Sequence, residues 1–174
     1  MLKVPNDPYL NCPEYQTENF RLRLVSENDA EDLLACYSDP KARKFFNADN
    51  CTSDFCYDTV VEMRDCIRFW LKFYEDRAFI RFAVVDLESQ IAIGTVEMFG
   101  GARGVLRIDL AFAYETLEYI SELLVLADEH FFKLFETERI VTKAVPEACE
   151  RVAALLSAGY APFERKHYYS KTID

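Results

Sequence analysis

The stretch that most constrains the fold of this chain is a strand-like alternation that passes directly into a long amphipathic helix, between Leu106 and Phe135. Apolar residues first occupy every second position, and from Thr116 they recur at helical spacing, without a Pro or Gly between the two patterns. A strand that runs straight into a helix places the first, unpaired N–H groups of the helix at the end of the strand. Many α/β proteins bind phosphate groups at such a position.

The composition indicates one domain of ordinary size. With 174 residues, 51 % of them hydrophobic, the chain is long and apolar enough to bury a sizeable core. No apolar run approaches the roughly 20 residues that span a bilayer, and the N-terminus has no hydrophobic region of the signal-peptide type. We therefore expect a cytoplasmic protein without a membrane partner.

The charge and the cysteines argue against two classes of ligand. A net charge of −10 disfavours nucleic acid, because binding to phosphate backbones depends on clustered Lys and Arg. Such acidity suits a cationic amine, although it is also simply a route to solubility. The six cysteines form no CxxC pair, and His130 and His167 are not arranged with them as zinc ligands. We expect buried free thiols and no metal.

Periodicity along the chain predicts an α+β domain. Residues 1–16 carry three prolines and are interpreted as an N-terminal extension, so that a single domain spans 17–174. Within it the pattern predicts the order β-α-α-β-β-β-α-β-α-β. The strands are expected at 20–25, 79–86, 91–99, 106–113, 139–145 and 167–173, and the longest helices at about 53–75, 116–135 and 146–158. This order indicates one mixed, mostly antiparallel central sheet flanked by helices.

Several segments resemble the GNAT-superfamily N-acetyltransferases, in the branch that includes the ribosomal-protein N-terminal acetyltransferases. The resemblance runs from about residue 16 to 165 and depends on the order and spacing of its pieces. These are Thr17-Glu18, Leu22-Arg23, Asp29-Ala30, Leu33 and Asp39-Pro40 at the start, Ile93-Gly94-Thr95 in the central strand, Glu122-Leu123 in the core helix, and Pro146 with Gly159-Tyr160 near the end.

The resemblance implies a GNAT-like fold and transfer of an acetyl group from acetyl-CoA to a primary amine of a protein N-terminus or a small molecule. In the family the neutral amine attacks the thioester directly, so a base must first remove its proton. Glu97 and Asp109, on neighbouring strands, are the carboxylates best placed for this role. Tyr160 is a candidate to protonate the leaving thiolate. A homodimer is left open.

These catalytic candidates also have purely structural interpretations. If the Gly-rich hairpin is symmetric about Ala102, Glu97 faces Arg107, and Asp109 lies on the same side. The three would then form a cross-strand ion network, worth about 0.2–1 kcal/mol per pair. We favour the network, because an arginine partner keeps a carboxylate charged and makes it a weaker base. A tyrosine near the end of a sheet, such as Tyr160, is usually a core or rim residue.

The coenzyme loop is where the chain departs from the family. GNAT proteins bind the CoA pyrophosphate with the pattern Gln/Arg-x-x-Gly-x-Gly/Ala, just before the Glu of the core helix. Counted back from Glu122, this window is Glu115–Ile120, and none of the defining positions matches. Side chains with a Cβ hinder the approach of phosphates to backbone N–H groups. A phosphate oxygen about 4 Å from Glu118 would meet a repulsion of about 1 kcal/mol in water and about 4 kcal/mol at an effective dielectric of 20.

The loop sequence therefore argues against ordinary acetyl-CoA binding, and two hypotheses remain. The function that the resemblance implies is an amine acetyltransferase with an altered loop, and the alternative is a non-catalytic GNAT-fold binding module. In the first case the resemblance assigns cofactor contacts to Phe112, Ala113, Tyr114, Glu118, Tyr119, Ile120 and Arg151. Arg151 would either bind a phosphate or be a solvated helix charge. Glu115 and Glu118 would stabilise the empty helix, because they lie near its positive end.

Overall fold

The computed structural model describes residues 7–49, 51 and 54–173, so residues 1–6 of the predicted extension lie outside it. The strands of the described chain are β1 (Tyr15–Gln16), β2 (Phe20–Leu24), β3 (Ile80–Asp86), β4 (Ala92–Phe99), β5 (Gly104–Leu110), β6 (Arg139–Lys143), β7 (Ala161–Pro162) and β8 (Tyr168–Thr172). The helices are α1 (Ala30–Tyr37), α2 (Pro40–Arg43), α3 (Val60–Glu75), α4 (Leu117–Leu134) and α5 (Cys149–Ser157).

All of these strands join one sheet, in the order β1-β2-β3-β4-β5-β6-β8-β7. Strands β5 and β6 are parallel, and the other neighbouring pairs are antiparallel. The predicted α+β class, with a mixed and mostly antiparallel sheet flanked by helices, is therefore confirmed. The structure adds β1, which lies within the predicted extension, and the short edge strand β7.

The two faces of the sheet are covered by different helices. On one face Leu106, Ile108 and Leu110 of β5 pack in a core with α4 and α5. On the other face Ala83 and Val85 of β3 pack with α1 and α3. The alternation predicted for β5 is confirmed. Because successive side chains of a strand point to opposite faces of the sheet, Arg107 and Asp109 face α1 and α3.

Helix α3 begins later than its hydrophobic pattern predicts. We expected a start near Ser53, which lies outside the described residues, whereas α3 begins at Val60. The side chain of Thr59 accepts a hydrogen bond from the Glu62 N–H, and the Glu62 carboxylate accepts one from the Thr59 N–H. This reciprocal capping box fixes the start of the helix. Helix α5 also starts three residues later than predicted, at Cys149.

Candidate functional site

The two parallel strands in the middle of the sheet separate after a short pairing. Strand β5 pairs with β6 at two positions only, where Gly104 lies beside Ile140 and Val105 lies beside Val141. The rest of β5 pairs with β4 alone. After Leu110 the chain makes a 3-10 turn and enters α4 at Leu117. The predicted junction of strand and helix is therefore present, and the first N–H groups of α4 follow the end of β5 closely.

The N-terminus of α4 is capped by side chains of the chain itself. Thr116 is the N-cap, and its hydroxyl accepts a hydrogen bond of 3.3 Å from the Tyr119 N–H. The Leu117 N–H donates to the carboxylate of Glu150, which comes from α5. A carboxylate at this position interacts favourably with the positive end of the helix dipole. Glu150 thus binds an N–H group of the kind that a phosphate would use.

A buried ion pair lies next to this helix start. Nε and Nη2 of Arg151 donate to the two carboxylate oxygens of Glu115, at 2.6 and 2.8 Å. Both side chains are only 5 % exposed. Because the pair is bidentate, each charge is satisfied by the other. Arg151 is therefore not a solvated helix charge, and in this conformation its guanidinium holds the chain's own carboxylate.

The other predicted cofactor contacts are spread over several environments. Ile120 is fully buried in the core under α4, and Glu118 lies on the opposite side of the helix, in a cleft beside β1. The ring of Tyr119 packs against those of Tyr114 and Phe20, with centroids 5.4 and 5.3 Å away. A separate exposed pair is formed by Phe112, which stacks on Phe45 at 6.3 Å and is followed by the exposed Ala113.

The two predicted catalytic carboxylates belong to a buried network on the α1 and α3 face. Glu97 lies opposite Arg107 in the register of β4 and β5, as a hairpin symmetric about Ala102 predicts. Both Glu97 and Asp109 are 2 % exposed and form ion pairs with Arg81. The Tyr37 hydroxyl also donates to Asp109, at 2.7 Å.

The electrostatics of this network differ from the expectation that an arginine partner makes Asp109 a weaker base, because burial has the larger effect. Burial raises the pKa of Asp109 above its usual value, although Arg81 and the Tyr37 hydroxyl act in the opposite direction. The Arg81 guanidinium also lies 4.1 Å from the ring centroid of Trp70. Sequence reasoning missed Arg81 and Tyr37. The available signal was Arg81 itself, a charged residue placed between Ile80 and Phe82 in an otherwise apolar stretch of β3.

Tyr160 lies apart from these carboxylates. Its ring is buried in the core under α4 and α5, on the other face of the sheet from the network. Burial and the neighbouring carboxylate of Asp128 raise the pKa of its hydroxyl. The structure therefore brings Glu97 and Asp109 together and leaves Tyr160 in a different core. A catalytic role for Glu97, Asp109 and Tyr160 stays a prediction.

Of the six free cysteines, all within the described residues, Cys36 is buried, Cys149 is exposed and the other four are partly buried, so the expectation of a buried thiol is wrong for Cys149. No group of three His, Cys, Asp or Glu residues among them is arranged to hold a metal ion. None of their helices is long and apolar enough to cross a membrane.

Comparison with known proteins identifies a family. A model of the acetyltransferase (GNAT) domain matches residues 19–160. A search of curated proteins found no match. The matching solved structures described below are 12–17 % identical to this chain in sequence, so they show a shared fold and nothing more.

Three of these structures illustrate the likeness. The ribosomal-protein-S5-alanine acetyltransferase from Vibrio fischeri is 15 % identical, with a TM-score of 0.73 over 92 % of this chain and 96 % of that one. A GNAT-family acetyltransferase from Bacillus anthracis is 17 % identical, with a TM-score of 0.71 over 92 % and 98 %. The ribosomal L7/L12 alpha-N-protein acetyltransferase RimL, solved in complex with coenzyme A, is 12 % identical, with a TM-score of 0.74 over 93 % and 99 %.

Proposed function

The chain belongs to the GNAT acetyltransferase family, and we propose that it uses the fold as a non-catalytic binding module that has lost ordinary acetyl-CoA binding. The observation that carries the proposal is the buried ion pair of Glu115 and Arg151. Glu115 is the first residue of the window Glu115–Ile120 that the resemblance aligns with the family's pyrophosphate loop, and Arg151 reaches it from α5. The residues present there do not fit a coenzyme diphosphate.

The cost of replacing the internal carboxylate is large. A diphosphate bound to Arg151 would have to separate it from Glu115, which is 5 % exposed. Leaving one partner of a buried ion pair without its counter-charge costs about 3–5 kcal/mol. A cost of about 3 kcal/mol weakens binding more than about 100-fold, because each 1.4 kcal/mol is a factor of ten.

The backbone N–H groups at the helix start are also engaged. Glu150 accepts from the Leu117 N–H, so a phosphate oxygen would have to displace a carboxylate that the helix dipole already favours. Ile120 replaces a small residue of the family pattern and is fully buried in the core. The loop therefore cannot open towards a phosphate without uncovering apolar surface.

The environment of the predicted bases supports the same proposal. A general base must lie within hydrogen-bond reach of the incoming amine, directly or through one water. Glu97 and Asp109 are 2 % exposed, and both are already ion-paired with Arg81. An amine would have to break this network before either carboxylate could accept its proton.

A cytoplasmic acetyltransferase, acting on the primary amine of a protein N-terminus or a small molecule, is the second candidate. Family membership favours it, together with the separation of β5 from β6. The unpaired side of β5 offers backbone groups that a coenzyme arm can use without particular side chains. This candidate requires the Glu115–Arg151 pair to open.

Thermal melting with and without 1 mM acetyl-CoA separates the two candidates. A ligand at about 100 times its dissociation constant adds about 2.7 kcal/mol of stability. An unchanged melting temperature supports the binding module. A saturable increase, with a dissociation constant in the micromolar range, would refute it in favour of the acetyltransferase.

A further inference from the structure

A second group of charges lies where the loop after α2 crosses the opening between β5 and β6. The carboxylate of Asp49 is 2.9 Å from Nζ of Lys143, at the end of β6. The backbone carbonyl of the same residue accepts a hydrogen bond of 2.8 Å from Nη2 of Arg107, on β5. A single loop residue thus connects the two strands at the place where they no longer pair with each other.

Basic side chains outnumber the carboxylates here. Nη2 of Arg165, from the turn before β8, lies 4.0 Å from the Asp49 carboxylate. Arg107 and Arg81 are balanced by Glu97 and Asp109. Within the described part of the chain, Lys143 and Arg165 therefore share the one carboxylate of Asp49, and the group keeps a positive charge in a protein whose net charge is −10.

Buried donors without acceptors lie in the same place. Nε of Arg107 and the hydroxyl of Tyr168 are buried, and neither has a hydrogen-bond partner among the residues described. Tyr168 stands opposite Lys143 in the register of β6 and β8. The guanidinium of Arg165 lies 4.3 Å from its ring centroid. Since buried polar groups are nearly always paired, these donors indicate a missing acceptor.

We propose that Arg107, Lys143, Arg165 and Tyr168 form a binding site for an oxyanion of a small ligand, a carboxylate or a phosphate, and that the carboxylate of Asp49 takes the ligand's place in the free protein. Guanidinium groups present forked donors that match carboxylate and phosphate oxygens. The inference deepens the proposed function, because it names the ligand chemistry that the module would bind. The four residues of this site do not include Glu115 or Arg151.

Titration of the Asp49→Asn variant tests the site. Inorganic phosphate and acetate are titrated separately by calorimetry, at constant ionic strength balanced with chloride. If the site is open in only a tenth of the wild-type molecules, removal of the internal carboxylate tightens binding about tenfold. The probe that binds more tightly identifies a phosphate or a carboxylate as the preferred group. Binding of neither probe to Asp49→Asn overturns the inference.

Variants in the Asp49→Asn background locate the bound anion. Lys143→Gln should weaken binding about tenfold, as expected for a lost hydrogen bond to a charged group. Arg165→Gln should weaken it a few fold, whereas the matched control Lys166→Gln, an exposed neighbour in the same turn, should leave it unchanged. Equal losses in Arg165→Gln and Lys166→Gln would indicate general charge attraction and contradict the site.

A measurement on the wild-type protein completes the test. Phosphate should shift the NMR resonance of the Arg107 Nε–H, and an unchanged resonance at saturation contradicts the site. A phosphate-induced shift of the Leu117 backbone N–H in place of the Arg107 Nε–H would put the anion at the start of α4 and overturn the inference. Acetyl-CoA binding to the wild type would instead refute the proposed function alone.

Discussion

Replacing Glu115 by glutamine should destabilise the protein far more than an exposed carboxylate would. The substitution keeps the size of the side chain but leaves Arg151, which is 5 % exposed, as a buried charge without a counter-ion. Breaking a buried ion pair on one side costs about 3–5 kcal/mol. For a domain of this size, 1 kcal/mol lowers the melting temperature by about 2–4 °C. We therefore expect Glu115→Gln to melt about 6–20 °C below the wild type.

Two variants make this measurement specific. Glu118→Gln removes a neighbouring exposed carboxylate and should change the free energy of unfolding by no more than about 0.5 kcal/mol. Glu115→Leu combined with Arg151→Met removes both charges and should recover most of the lost stability, since apolar replacement of a buried pair is often neutral. Urea denaturation followed by circular dichroism provides the free energies of unfolding, and thermal melting provides the melting temperatures.

The Glu115→Gln variant should also respond to CoA differently from the wild type. In Glu115→Gln the unpaired guanidinium of Arg151 becomes available to an external anion, so CoA should raise its melting temperature more than that of the wild type. A Glu115→Gln variant as stable as Glu118→Gln would refute the reasoning, because the ion pair could not then be buried as described.

Three further predictions concern other parts of the molecule. Burial raises the pKa of Asp109, so the folded state binds the proton of this carboxyl more readily than the unfolded chain does. The resulting stabilisation is complete below the unfolded pKa of about 3.9 and is lost as the pH rises through the folded pKa. The stability of the wild type relative to Asp109→Asn should therefore increase from pH 7 to pH 4 in urea denaturation, and a constant difference would count against it. Burial also raises the pKa of Cys12 to about 12 and that of Cys66 to about 11. At pH 8 the ionised fraction is therefore about one in 10⁴ for Cys12 and about one in 10³ for Cys66. Mass spectrometry after brief alkylation should find the exposed Cys149 labelled first. Finally, Thr59→Ala removes the N-cap of α3 and should lower the free energy of unfolding by about 1 kcal/mol, whereas an unchanged value would mean that the capping box contributes nothing to stability.

Local patterns predicted the parts of the fold that depend on neighbouring residues. The change from alternation to helical spacing placed the start of α4 within one residue, and hairpin symmetry gave the pairing of Glu97 with Arg107. The end of the strand was wrong, because it was expected at 113 and β5 ends at Leu110. The start of α3 was missed although its signal was present, since Thr59 and Glu62 have the spacing of a capping box.

Contacts between distant segments could not be predicted in this way. Glu115 and Arg151 are 36 positions apart, and only the packing of α5 beside the start of α4 brings them together. The sequence showed two charges of opposite sign and gave no reason to pair them. The same holds for Asp49 and Lys143, which are 94 positions apart and meet across the opening between β5 and β6.

A crystal structure grown in 5 mM acetyl-CoA would show whether a coenzyme diphosphate binds at the start of α4. We expect that the carboxylate of Glu115 still binds Arg151, that Glu150 still accepts from the Leu117 N–H, and that no diphosphate lies at the start of α4. Electron density for a diphosphate against that N–H group, with Glu150 turned away and Arg151 bound to the phosphate, would contradict it.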